Sequence, residues 1–238
     1  MTNDVETAPA RGRIAQGERT KATILRTAVD LASIEGLEGL TIGRLATELS
    51  MSKSGLFAHF GSKEDLQLAT IDAARSIFVE EVVRPALADS EPGLDRIWRL
   101  CDRWIEYAQR GVFSGGCFFA AASSEFDGRP GPVRDRIADI MREWLVRLEQ
   151  GVREAQDAGH LDPERDARQI AFEIKALALG ANWAYQLFGD LKAFSRAREA
   201  MRDRLQTAAT PAAPLHVLGL PQPGRRRMAA IARASRSE

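Results

Sequence analysis

The sequence predicts an all-α protein of two domains, and three observations carry that reading. From about Thr20 to Leu205 apolar residues recur at the i, i+3, i+4, i+7 spacing of one helix face, and no strand pattern interrupts them. Thr41, Ser52 and Ser62 each stand just before such a pattern, where a hydroxyl caps a helix start. Glycine and proline punctuate the chain at Gly36, Pro85, Gly93, Gly111–Gly116 and Asp127–Pro132. The chain has 238 residues, 45% of them hydrophobic, which is enough for one large or two smaller domains with full cores.

Residues 1–17 are polar and mixed, with Pro9 and Gly12, and read as a flexible arm from which Arg11 and Arg13 can reach a nucleic-acid backbone or water. A helix follows from about Thr20. Its buried stripe is Ile24, Leu25, Ala28, Val29 and Ala32, and Gly36 lies where a C′ glycine ends a helix. Thr41 caps the second helix, whose apolar residues Ile42, Leu45, Ala46 and Leu49 share one face. So short a helix must pack on something to persist. Ser50 and Met51 interrupt, Ser52 caps a third helix, and Leu56, Phe57 and Phe60 give it an apolar face opposite Lys53, Ser54 and His59. Ser62 caps the fourth, with Asp65 placed to complete a capping box.

Two short helices joined by a turn of about 3–4 residues, the second with small polar and basic residues at its exposed start, form a helix-turn-helix. The start of its second helix enters the major groove, so Lys53 and Ser54 are candidates for base edges and Gly55 for close backbone approach. Thr41, Ser52, His59 and Lys63 stand at helix starts or on the flank, where hydroxyl, imidazole and ammonium groups meet phosphate. The formal net charge is zero, with 33 basic and 33 acidic residues, so any electrostatic footprint must be local. Between Arg11 and Lys63 eight basic residues face five acidic ones, a modest excess.

The run Thr20-Lys21-Ala22-Thr23-Ile24-Leu25, then Gly36, Thr41-Ile42, Leu45-Ala46, Ser52 through Phe60, and Lys63-Glu64-Asp65-Leu66 resembles the DNA-binding domain of TetR-family transcriptional regulators. The resemblance covers the first third of the chain, and its elements agree in order. It implies a homodimeric regulator, usually a repressor, released from a palindromic operator in double-stranded DNA by a small-molecule effector. The family usually has tyrosine where this chain has Phe57. The phosphate contact of that hydroxyl is absent here, and the Phe57 ring is expected on the apolar seam with its para position outward.

The fourth helix is expected to run from Lys63 to about Val83, with Pro85 preventing continuation past Arg84. Further helices are expected near Leu94–Arg110, Cys117–Phe126 and Val133–Gly159. From about Pro163 a long helix becomes apolar on nearly all sides between Ala176 and Phe188, so it is covered twice. Ile170, Ile174, Leu177 and Ala181 meet the domain core, while Phe172, Leu179, Trp183 and Leu187 need another partner. The simplest is the same helix of a second copy, approached at Gly180 and Ala184, with the helix from about Leu191 to Leu205 completing a four-helix interface. The last helix alone is the other possible cover. Trp104, Phe118 and Trp144, with the polar Ser123, Glu125 and Asn182, are expected to line a pocket for an apolar or aromatic effector. After Thr207 four prolines read as a linker ending in Arg225, Arg226, Arg227, Arg233 and Arg236. The expected domains are therefore a flexible arm at 1–17, a helix-turn-helix domain at 18–63, a helical ligand-binding and dimerisation domain at 64–208, and a Pro-rich linker with basic tail at 209–238.

An enzyme is the rival class, and little supports it. His59, His160 and His216 are scattered, no HExxH or GxSxG motif occurs, and no glycine-rich phosphate loop follows a strand. Cys117, the best nucleophile candidate, reads like Cys101 as a small buried hydrophobe. No catalytic residue, metal or cofactor is expected. With no signal-peptide core and no apolar run of about 18 residues, the protein is expected in the cytoplasm without a membrane partner. The alternative function is a helical ligand-binding or protein-interaction module that binds no operator.

Overall fold

The computed structural model describes the backbone of residues 8–220 and the side chains of residues 17–220. The side chains of Arg11 and Arg13 and the basic cluster from Arg225 onward lie outside those described. Among the described residues ten α-helices follow one another: α1 (Ala8–Glu35), α2 (Ile42–Glu48), α3 (Lys53–Phe57), α4 (Lys63–Phe78), α5 (Arg84–Ala88), α6 (Leu94–Gln109), α7 (Phe118–Phe126), α8 (Pro132–Asp157), α9 (Ala167–Phe188) and α10 (Ala193–Thr207). One isolated antiparallel bridge joins Leu161 and Ala209.

Two boundaries correct the sequence reading. The first helix starts at Ala8 rather than near Thr20, so most of the expected arm is helical. Pro9 lies in its first turn, where a missing N–H costs nothing and the fixed φ suits the helix. The fourth helix does not stop ahead of Pro85. It ends at Phe78, the backbone widens into one π turn at Val79–Val83, and α5 then holds Pro85 in its first turn. In an unbroken α-helix the ring would meet the carbonyl four residues back, and the wider turn removes that register.

The chain forms two compact units. The first comprises residues up to Phe78 together with Gly111–Ile140; the second comprises Val79–Arg110 together with the chain from Met141 on. Residues 111–140, expected in the ligand-binding domain, therefore belong with the helix-turn-helix. In the first unit Ile24, Ala28, Leu45, Leu56, Leu66 and Ile71 are buried, and the rings of Phe78, Phe118 and Phe119 meet edge to face at centroid distances of 6.3 and 5.2 Å. Edge-to-face rings align a positive edge with a negative face and add to the burial of their area.

The second unit is built on α6, the later turns of α8, α9 and α10. Phe194 is its centre, 6.3 Å from Trp104 and 5.1 Å from Tyr185 between ring centroids. The loop from α8 to α9 is sewn to the segment after α10: Asp162 donates its N–H to the Ala208 carbonyl at 2.8 Å, and Thr210 donates to the carbonyls of Gly159 and His160 through its hydroxyl and its N–H. Residues 211–220 then lie down on the unit, with Ala213 and Leu218 buried at 2% and 1% exposure. The first part of the expected linker is thus packed structure. Its prolines bar an α-helix but leave room for the short 3-10 turn Leu215–Leu218.

A buried leucine truncated to alanine loses its transfer energy and leaves a cavity. Leu218→Ala is therefore expected to lower unfolding stability by about 2–5 kcal/mol in a urea titration. No change would mean that this segment is the solvated linker its prolines suggested.

Candidate nucleic-acid interface and the exposed face of α9

The path into the interface is set residue by residue. Gly36, at φ +84°, ends α1 and donates its N–H to the Ala32 carbonyl at 3.1 Å. Leu37 and Leu40 are buried, which turns the chain under α1. Thr41 caps α2 by accepting the Arg44 N–H at 3.1 Å, and Ser52 caps α3 by accepting that of Gly55 at 3.1 Å. Between them Ser50 takes the left-handed conformation at φ 52°, a strained choice for an L-residue, and Met51 closes the turn by donating to the Ala46 carbonyl at 3.0 Å. Ser62 accepts the Asp65 N–H at 3.0 Å, but its hydroxyl gives its own proton to the Asp65 carboxylate at 2.7 Å. That arrangement replaces the expected reach of Asp65 to the Ser62 backbone.

α3 has an inner and an outer side. Leu56 and Phe60 are sealed at 0% and 3% exposure, whereas Ser52, Lys53, Ser54 and Ala58 face water and Gly55 is half-exposed. Phe57 is 53% exposed, so it stands off the apolar seam that was expected to hold it with Leu56 and Phe60. The Lys53 stem runs beside α2, its Cε 3.5 Å from where a β-carbon on Gly43 would sit. The Ser52 and Ser54 hydroxyls are 3.2 Å apart. His59 is half-buried, its ring tilted against Phe60 at 6.2 Å.

The local charge is less basic than the count of residues implied. Arg44 binds Glu35 through two guanidinium nitrogens and Glu48 through the third, and these hydrogen bonds raise its already high pKa. Lys63 donates to Glu38 at 2.7 Å. That hydrogen bond, aided by Gln67 and by the charge of Arg129 and opposed by desolvation, holds the Glu38 carboxyl below its ordinary range. Lys53, by contrast, has no ion-pair partner among the described residues.

The expected effector-pocket residues do not converge. Phe118, Ser123 and Glu125 belong to the first unit, Trp104, Trp144 and Asn182 to the second. Phe118 packs against Phe119, Ser123 bonds the Ala120 carbonyl, Trp104 packs on Phe194, and Glu125 holds the backbone of Leu37 and Glu38. Trp144 and Asn182 are buried at 8% and 7% exposure. Spacing along helices had no way to sort residues between two units.

On α9, Phe172, Trp183 and Leu187 are exposed at 62%, 58% and 62%, Gly180 is exposed, and Leu179 is half-buried. The strip extends to Phe188 and Leu191, which the sequence reading missed because Gly189 turns the chain left-handed just there. Beside it α9 and α10 frame a cavity of about 850 Å³, floored by Ala176, Gly180, Ala184 and Ala197 and edged by the ion pairs Glu173–Arg204 and Asp190–Arg196. Elsewhere Cys101 and Cys117 are buried and unbridged, and burial pushes the Cys101 thiol up to about 12, so it is no nucleophile at neutral pH. Among the described residues no three His, Cys, Asp or Glu side chains group to hold a metal, and no helix is long and apolar enough to cross a membrane.

The exposure of Phe57 leads to a direct test. A hydroxyl added at its rim meets phosphate, which carries no base identity, and adds no charge. Phe57→Tyr is expected to tighten binding to operator and random DNA alike by roughly three- to tenfold, with little change in salt dependence. Unchanged or weaker affinity in a fluorescence titration would contradict the outward placement of this ring on the DNA side.

Comparison with known proteins agrees with this architecture. The family model described as bacterial regulatory proteins, tetR family, matches residues 24–70, and the Tetracyclin repressor-like C-terminal domain matches residues 93–201. The transcriptional regulator AcuR of Cereibacter sphaeroides is 25% identical over 167 residues, covering 68% of this chain and 76% of its own. The HTH-type transcriptional regulator TcmR of Streptomyces glaucescens is 27% identical over 195 residues, covering 79% and 83%. A crystal structure of a TetR transcriptional regulator from Chloroflexus aurantiacus superposes with a TM-score of 0.76 at 25% identity, covering 82% of this chain and 98% of that one. With both halves matched in order and the helix-turn-helix framed by the same elements, the chain belongs to the TetR family of DNA-binding transcriptional regulators and is not an enzyme.

Proposed function

We propose that this protein is a homodimeric repressor that holds a palindromic operator with one α3 in each half-site and is released by a small apolar or aromatic effector. The outer side of α3 is the observation that carries the DNA half: Ser52, Lys53, Ser54 and Phe57 project from a helix whose inner side is sealed by Leu56 and Phe60. In this reading Lys53 and Ser54 meet base edges and Gly55 admits the backbone to a groove of about 12 Å width. Thr41, Ser52, His59 and Lys63 take phosphates, with Lys63 exchanging Glu38 for the DNA backbone. Two-fold symmetry sets the half-sites about 34–36 Å apart.

The dimer half of the reading rests on the apolar strip of Phe172, Trp183 and Leu187, with Gly180 and Leu179 beneath the contact. Residues 18–63 serve the operator and residues 64–208 serve effector and dimer, and the work is done in the cytoplasm, where the operator is. The match to the Tetracyclin repressor-like C-terminal domain supports an effector, as do the polar Lys175 and Asn182 buried within the second unit. The effector acts by favouring a state in which α4 has shifted and the two reading helices no longer match their half-sites. Moving the population from 1:99 to 99:1 takes about 5.5 kcal/mol of differential affinity.

A gel shift with the DNA flanking the protein's own gene, against excess random DNA, tests the reading. A palindromic fragment is expected to be retained. Trp183→Glu, which places a charge in the apolar strip, is expected to sediment as a monomer and to lose on the order of a hundredfold in operator affinity with the linked second half-site. Wild type that is monomeric at micromolar concentration removes the dimer. A dimer with no preference for any flanking fragment removes the operator and leaves a protein-interaction module.

A further inference from the structure

The connection from α1 to α2 decides where the reading pair begins, and it is held from outside. The N–H groups of Leu37 and Glu38 follow the end of α1, where a surface loop would give them to water. Both are donated to one carboxylate, that of Glu125 on α7, at 2.7 Å to Oε2 and 2.9 Å to Oε1. A fork of two charge-assisted bonds fixes two successive peptide planes at once, which a single bond does not. Gly36 makes room for it: a β-carbon there would lie 2.8 Å from Glu125 Oε1.

The same peptides are held from the opposite direction. Gln67 on α4, 4% exposed, donates its amide to the Leu37 carbonyl at 2.9 Å and to the Glu38 carboxylate at 3.3 Å. The turn that delivers Thr41 to its capping position is therefore clamped between α7 and α4.

Nor is α7 free to drift. The loop that leads into it is latched to the middle of α1, where Ser114 gives its N–H and hydroxyl to the two oxygens of Asp30 at 2.8 and 3.2 Å. Gly115 donates to Ser33 Oγ at 3.0 Å. Arg26 donates to the Val112 carbonyl at 2.8 Å and stacks on Phe113 at 4.8 Å. Contact at Gly115 is so close that a β-carbon would sit 1.9 Å from the Ser33 carbonyl oxygen.

From this geometry we infer that Glu125 is a positioning residue for operator binding: its carboxylate sets the angle at which α2 and α3 leave α1, although it lies outside the helix-turn-helix. The inference rests on α3 being the reading helix. Glu125 also leaves the effector pocket to which its polarity within an apolar stretch had assigned it.

The test compares wild type, Glu125→Gln and Glu125→Ala as full-length protein, well below the melting transition of each. Glutamine keeps the length and one acceptor oxygen but loses the fork. Amide hydrogen exchange at Leu37 and Glu38 is expected to quicken in the order wild type, glutamine, alanine. Affinity for the fragment retained in the gel shift is expected to fall in that order, by on the order of tenfold for alanine, with affinity for random DNA nearly unchanged. A residue that only supports the fold would lower both affinities together through the folded fraction. Unchanged exchange, or a constant ratio of operator to random affinity, overturns the inference. If alanine fails to fold, the glutamine variant decides by the same two readings. Wild type that prefers no fragment overturns the operator reading itself, and the role of Glu125 falls with it, whereas a failure confined to the variants overturns Glu125 alone.

Discussion

Helices of seven and five residues have no stability of their own, because nucleation fixes several backbone dihedrals for each hydrogen bond gained. Everything presented at the outer side of α3 depends on that constraint being met from beneath. Leu45 and Leu56, both at 0% exposure, carry the burial, while Thr41 and Ser52 satisfy N–H groups that so short a helix cannot satisfy itself. The strained left-handed Ser50 persists because the flanking burial over-determines it. A surface that recognises DNA must be rigid in its backbone and free in its side chains. Here the rigidity comes from the inner face and the caps, which leaves Lys53 and Ser54 uncommitted to the fold.

Charge at this surface follows the same division. Arg44 and Lys63 are tied to Glu35, Glu48 and Glu38, all near the water boundary, where exposed ion pairs contribute about 0–1 kcal/mol. Pairs that weak yield readily to phosphate, so the acidic residues act as placeholders that keep the cations ordered without holding them permanently. In the second unit the ion pairs at the edges of the α9–α10 cavity flank an apolar strip with no cover, a pattern of dry centre and polar rim.

What the sequence made legible was local. Thr41, Ser52 and Ser62 marked helix starts because a cap is a matter of two or three residues, and the apolar spacing of α9 announced its exposed strip. What escaped was set at distance. Glu125 looked like a pocket residue because a carboxylate within an apolar stretch has no local explanation; its partners lie 88 and 87 residues earlier. Phe57 looked like part of the seam because a helix of five residues is too short for periodicity to separate its faces. The early start of α1 and the helical passage through Pro85 depend on where in a turn each proline falls, and composition does not report that.

The docking of α7 on α1 also has a consequence for the order in which the protein can be made. The first unit is discontinuous in the chain: α1 to α4 leave the ribosome first, then all of α5 and α6 must be added before the segment that completes the unit exists. At roughly 5–20 residues per second, the interval separating Glu38 from Glu125 is on the order of ten seconds. During that time Leu37 and Glu38 have only water for their amide groups, and the faces that will receive Phe113, Phe118 and Phe119 are bare. The DNA-reading end is thus the first part synthesised and among the later parts finished. Its completion waits on residues from the middle of the chain, so a nascent fragment carrying the whole helix-turn-helix emerges before its orientation is fixed.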